Sequence, residues 1–98
     1  MKNNKDIPVY GESYDKIVVK SSISSTRTYS VRFGEVTWNE RIGTVLAIYI
    51  VIEYNGIPQM FYNPIIPHFL VEPDSNGVSD FINVLRAMEE MARRNNLM

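Results

Sequence analysis

The sequence predicts an α+β fold: an antiparallel sheet of about four strands with one C-terminal amphipathic helix packed on one face. Three observations carry this. Residues Thr26 to Trp38 alternate in polarity with period two, as a half-buried strand does. Gly43 to Tyr54 is apolar at nearly every position and stops at Asn55-Gly56, a pair that tolerates the two positive φ angles of a type I′ hairpin turn. From Val78 onward, apolar residues recur at helical spacing.

Taken in order, residues 1–15 hold Pro8, Tyr10, Gly11 and Tyr14 without a period, and are expected to form a partly ordered arm. The single α+β domain is then 16–98. Lys16 to Ser24 is rich in β-branched residues and reads as a strand, with a tight turn at Ser24-Ser25. In the strand that follows, Arg27, Tyr29, Val31, Phe33 and Glu35 share one face. Thr28, Ser30, Arg32, Gly34 and Val36 share the other, and Gly34 marks a bulge or bend. Asn39-Glu40-Arg41 turns the chain. Gly43 to Tyr54 is apolar on both faces, so it is expected to be the central strand, covered on both sides.

Beyond the Asn-Gly turn, Ile57 to Tyr62 contains Pro58, which cannot donate to a ladder and belongs on an edge. Asn63 to Pro73 is bracketed by prolines yet too apolar for an exposed loop. It is expected to lie extended against the core, with a short strand at Phe69 to Val71. The helix is expected over Gly77 to Arg94, capped by Ser75 or Ser79. Asp80 suits its positive N-terminal end, and Arg93 and Arg94 suit its negative C-terminal end. Val78, Phe81, Ile82, Leu85, Met88 and Ala92 form a stripe, and Phe81, Ile82 and Leu85 are expected to make the sheet contact.

Composition excludes more than it selects. Ten Lys and Arg against eleven Asp and Glu leave a net charge of −1 across 98 residues, ruling out a polybasic nucleic-acid coat and an acidic nucleic-acid mimic. The mild asymmetry, seven basic and five acidic residues in 1–41 against three and six in 42–98, is too small to alter that. The absence of cysteine removes disulfides, zinc ribbons, iron–sulfur clusters and thiol nucleophiles. No targeting segment is visible at the polar start, and the longest apolar run, Val45 to Ile52, is far short of the ~20 residues of a spanning helix. A cytoplasmic protein with no membrane contact is expected.

No constellation for catalysis stands out. His68 is the single histidine, so neither a histidine metal cluster nor a motif-backed triad is available, and a packed or surface imidazole explains it. Glu89-Glu90 is the one adjacent pair of acids, and Arg86 and Arg93 at helical spacing explain Glu89 as an ion-pair partner. Asp74 to Asp80 has its glycine fourth rather than sixth, which fails as a calcium loop and fits a turn with a helix cap. The five glycines are isolated, so no phosphate loop exists. No catalytic residue, metal site or cofactor is expected.

Two features bear on partners. Lys16, Lys20, Arg27, Tyr29, Arg32 and Trp38 interleave cations with rings near the second strand, as sheets that bind single-stranded nucleic acid do. A core-facing strand shows the same Tyr-Val-Phe alternation, and the near-neutral charge weakens phosphate attraction. The order of four strands and a C-terminal helix is similar, over roughly residues 16–95, to that of single-strand-binding transcriptional coactivators. That likeness is one of element order without a residue motif, so no site residue follows from it.

The second feature is surplus apolar surface. One helix covers one face of the sheet, whereas the third strand is apolar on both. The helix's apolar arc also widens through Val84 and Met91 to nearly half its circumference. Homodimerisation is the commonest use of such a surplus, with Val84, Met88 and Met91 as the expected helical contribution. The chain's own N-terminal arm is the competing cover. The expected function is a small non-catalytic protein-binding module or regulator that self-associates. A virus- or mobile-element-type inhibitor of a host protein is a special case, and single-strand nucleic-acid binding through the basic, aromatic sheet face is the alternative.

Overall fold

The computed structural model describes residues 9–37, 43–58 and 68–98. Among these residues four antiparallel strands lie in the order β1-β2-β3-β4, where β1 is Val9–Lys20, β2 Arg27–Thr37, β3 Thr44–Tyr54 and β4 Ile57–Pro58. One helix, α1, spans Asp80–Arg94 and packs over β1 and β2. This is the expected α+β architecture.

The β3–β4 hairpin turns at Asn55 and Gly56, whose φ angles of 53° and 80° are the two positive values that a type I′ turn requires. Beyond Pro58, the strand expected to Tyr62 lies outside the described residues, as do the turn at residues 39–41 and the bracketing Pro64 and Pro67. Residues 68–71 form no strand, although the extended segment does lie on the core: Phe69 stacks on Tyr29 with ring centroids 5.9 Å apart.

Three expectations need correction. First, β1 begins at Val9, so residues 9–15 are strand rather than arm. No period is visible there because the ladder is interrupted twice. Val9 pairs with Thr37 and Tyr10 with Val36, then the register slips by one at Ser13↔Gly34 and again at Asp15↔Phe33. Each extra residue moves the following side chains to the other face, which erases alternation from the sequence. At Gly34 this irregular backbone comes close. A Cβ there would lie 2.3 Å from the Glu12 carbonyl oxygen and 2.8 Å from Ser13 Cα.

Second, β2 rather than β3 is the buried strand. β2 buries Tyr29, Val31, Phe33 and Val36, whereas β3 buries only Val51 and Ile52 and leaves Leu46 59% exposed. An apolar run on both faces records what a strand tolerates, not its place in the sheet. With α1 over β1 and β2, the strand between two full-length neighbours is the one covered.

Third, α1 is rotated relative to its expected contact. Val84, Ala87 and Met91 enter the core with Tyr29, Val31, Phe33 and Ile52, and Met88 packs at its margin. Phe81 and Leu85 stay 42% and 50% exposed. The expected self-association residues Val84 and Met91 therefore face inward, whereas of the expected core residues Phe81 and Leu85 face outward and Ile82 is half-buried.

Both helix ends are closed, the first by one of the two serines that the sequence offers. Ser79 is the N-cap, its Oγ accepting from the Ile82 N–H at 3.2 Å. The helix starts at Asp80 and not Gly77, because Gly77 has φ of 78° in the preceding turn. There the Asp74 carboxylate accepts from the N–H groups of Val78 and Asn76, which hold its pKa below the ordinary value. At the other end Asn96 takes the left-handed position (φ 59°), and Leu97 N–H reaches the Ala92 carbonyl at 2.8 Å.

Candidate functional site

The residues expected to form a binding face separate into two groups. Arg27 and Tyr29 point under α1, and both are buried, Tyr29 completely. Tyr29 Oη accepts from Arg27 Nε at 2.9 Å and donates to Asp80 Oδ2 at 2.7 Å. Arg27 also donates to the Tyr54 hydroxyl and to the His68 carbonyl oxygen. Its guanidinium lies 5.2 and 5.4 Å from the ring centroids of Tyr29 and Tyr54. Asp80 Oδ1 takes the Ser22 N–H at 3.1 Å. This relay links the start of β2, the end of β3, the β1–β2 turn and the first residue of α1.

The electrostatics follow from that geometry. Burial raises the Asp80 pKa, but hydrogen bonds from Ser21, Tyr29 and Ser22 outweigh burial and leave it below the usual carboxylate value. Burial, and then the Asp80 carboxylate that Tyr29 bonds, push the tyrosine hydroxyl upward. Among the described residues no buried side-chain polar atom lacks a partner, so the relay is closed. It acts as a tie between helix and sheet, and stacking a base on Tyr29 would require opening it.

The second group lies on the sheet face opposite α1. Lys16 stands directly across from Arg32, and Lys20 across from Thr28. Arg32 is partly committed: its Nε donates to Ser30 Oγ at 2.9 Å, and Nη2 lies 3.5 Å from Glu53 Oε2. On the same face Tyr49 pairs with Arg32 across β2–β3, and its ring centroid is 4.6 Å from that of Tyr10. An open groove of about 460 Å³ is lined by Ser13, Tyr14, Asp15, Lys16 and Arg32. Trp38 lies outside the described residues.

The side chains considered for chemistry have simpler roles. Glu89 meets Arg93 at 3.2 Å, one turn away, and Glu90 shares that arginine. His68 is exposed, and its backbone supports Arg27. Among the described residues no cluster of three or more potential metal ligands occurs, and no helix is long and apolar enough to cross a membrane. Asp80, Tyr54 and Ser22 were not legible as partners of Arg27 and Tyr29. The one available signal was an aspartate falling on the azimuth of Val84, Ala87 and Met91.

Comparison with protein-family models, with curated proteins and with solved structures finds no match.

Proposed function

We propose that the chain is a small non-catalytic protein-binding module or regulator that self-associates through the outward flank of α1. The observation that supports this is the uncovered apolar surface there. Arg94, paired with Asp15 of β1, leaves α1 on one side of the buried stripe. Phe81 and Leu85 leave on the other, toward β3. Ile23 and Val71 extend the surface at the helix start, since Phe81 N–H bonds the Leu70 carbonyl and Ser22 bonds Asp80. Exposed apolar side chains gathered on one surface favour association over isolation. Sedimentation at micromolar concentration is expected to give about twice the chain mass, and Leu85→Glu, at an exposed position, is expected to return the monomer without unfolding it. A wild-type monomer at high concentration would overturn the reading.

Single-strand nucleic-acid binding is a second reading, favoured by Lys16, Lys20 and Arg32 gathering beside Tyr10 and Tyr49 on the helix-free face. It draws no support from Arg27 or Tyr29, which the helix covers. Saturable binding of an oligodeoxythymidine that weakens steeply with salt would establish it.

A further inference from the structure

The backbone of β1 carries an inference about what the lysines meet. Among the described residues β1 is an edge, paired only with β2. Ser21 N–H bonds the Arg27 carbonyl at 3.1 Å. In an antiparallel ladder, positions that bond across alternate with positions that do not. Continuing from Ser21 through the unbroken register Lys20↔Thr28 to Lys16↔Arg32, Lys20, Val18 and Lys16 turn their N–H and C=O groups to the free edge. The Lys16 N–H is already taken by the Asp15 carboxylate at 2.8 Å, which Arg94 and Asn95 hold in place. The available edge therefore starts at the Lys16 carbonyl and ends at Lys20.

Its side chains are patterned to match. Lys16, Val18 and Lys20 stand exposed on the helix-free face, with Arg32 behind Lys16. Neither lysine makes an ion pair with a described residue. A second copy of β1 is a poor occupant. Symmetric antiparallel pairing centred on Val18 sets Lys16 against Lys20 twice, and centring on either lysine sets it against itself. The charges that bar a copy select the opposite sign.

We propose that the Lys16–Lys20 edge accepts an extended acidic peptide segment as an added strand, with acidic side chains opposite Lys16 and Lys20 and an apolar one opposite Val18. Main-chain bonds at the free edge supply the docking and the two lysines supply the selectivity. The inference rests on the reading of the chain as a protein-binding module. Its test is separate from that of self-association, because sedimentation through Leu85 does not involve this edge.

The probe is a capped, labelled heptapeptide, Thr-Glu-Thr-Val-Thr-Glu-Thr, titrated with the full chain by fluorescence polarisation. Saturable binding that weakens with added salt is expected, and its Lys-for-Glu counterpart should not bind. Lys20→Glu should weaken binding by about tenfold, the size of one lost charge contact turned repulsive. Val18→Pro should abolish it while leaving the fold intact, since this N–H faces outward and an edge tolerates proline at such a position. Hydrogen exchange on the wild type is independent of whether that variant folds: the Val18 and Lys20 amides should gain protection with peptide, while those of Ile17 and Val19 stay unchanged. No saturation at millimolar protein, no added protection at Val18 and Lys20, or binding retained in a folded Val18→Pro variant would overturn the proposal. So would an oligodeoxythymidine binding this edge more tightly than the peptide.

Discussion

Replacing Asp80 tests the account of why α1 sits as it does. Its carboxylate is fully buried and accepts from the Tyr29 hydroxyl at 2.7 Å and the Ser22 N–H at 3.1 Å. Hydrogen bonds to a charged group contribute about 1.5–3 kcal/mol each, and an acid in the first helical turn adds about 0.3–1 kcal/mol through the macrodipole. Asp80→Ala also leaves Tyr29 without its acceptor and the buried Arg27 without the anion at the end of its relay. A loss of about 3–5 kcal/mol is expected, as when one partner of a buried pair is removed. Asp80→Asn keeps the shape and one acceptor, so it should lose less.

Equilibrium urea unfolding measures both variants, and pH supplies a second readout. The Asp80 pKa is lowered in the folded state, so in acid the unfolded chain binds the extra proton. Stability from this group is fully present above the ordinary carboxylate value of about 4 and is lost as pH falls through the lower folded value. The wild type should therefore lose stability on acidification, and Asp80→Asn should show a shallower loss. Asp15 and Asp74 are also lowered, so the slope should flatten rather than vanish. A loss under about 0.5 kcal/mol for Asp80→Ala, the range of an ordinary surface change, would refute the tie.

Two further outcomes follow from the packing. Met91→Ala, at a completely buried position, should destabilise by about 2–5 kcal/mol, whereas Leu85→Ala should stay within about 0.5 kcal/mol in the monomer; the reverse order in urea unfolding would mean the helix is turned the other way. Gly34→Ala places a Cβ 2.3 Å from a backbone oxygen, a clash with no side chain able to yield. It should lower stability by about 1–3 kcal/mol or more in thermal unfolding, and an unchanged midpoint would show that β1 does not cross there.

What the sequence made legible divides along physical lines. Signals confined to a few residues held: Asn55-Gly56 as the turn, Ser79 of the two candidate serines as the cap, Pro58 on the short outer strand. Each depends on local backbone geometry that the residue itself dictates. Signals that depend on what packs where were weaker. Residues 9–15 hide their pairing because two bulges break the period. In the proposed binding face, Lys16, Lys20 and Arg32 do gather on one surface, but Arg27 and Tyr29 share the opposite face of the sheet, which the helix covers.

The helix shows why the remainder was out of reach. Its apolar residues span a wide arc, and two stripes, Phe81–Leu85 and Val84–Met91, fit the helical period equally well. Hydrophobicity alone leaves the rotation undecided by about 100°, the angle between successive residues. A charged residue settles it. Asp80 shares the azimuth of Val84, Ala87 and Met91, and its bonds to Tyr29 and Ser22 pin that side of α1 to the sheet. No reading of apolar pattern places an aspartate at 0% exposure in the core, since the burial is stabilising only because Tyr29, Arg27 and Ser22 meet it there. The functional consequence follows directly. The polar tie chooses which apolar stripe is consumed by folding, and so leaves Phe81 and Leu85, rather than Val84 and Met91, as the exposed apolar surface of α1.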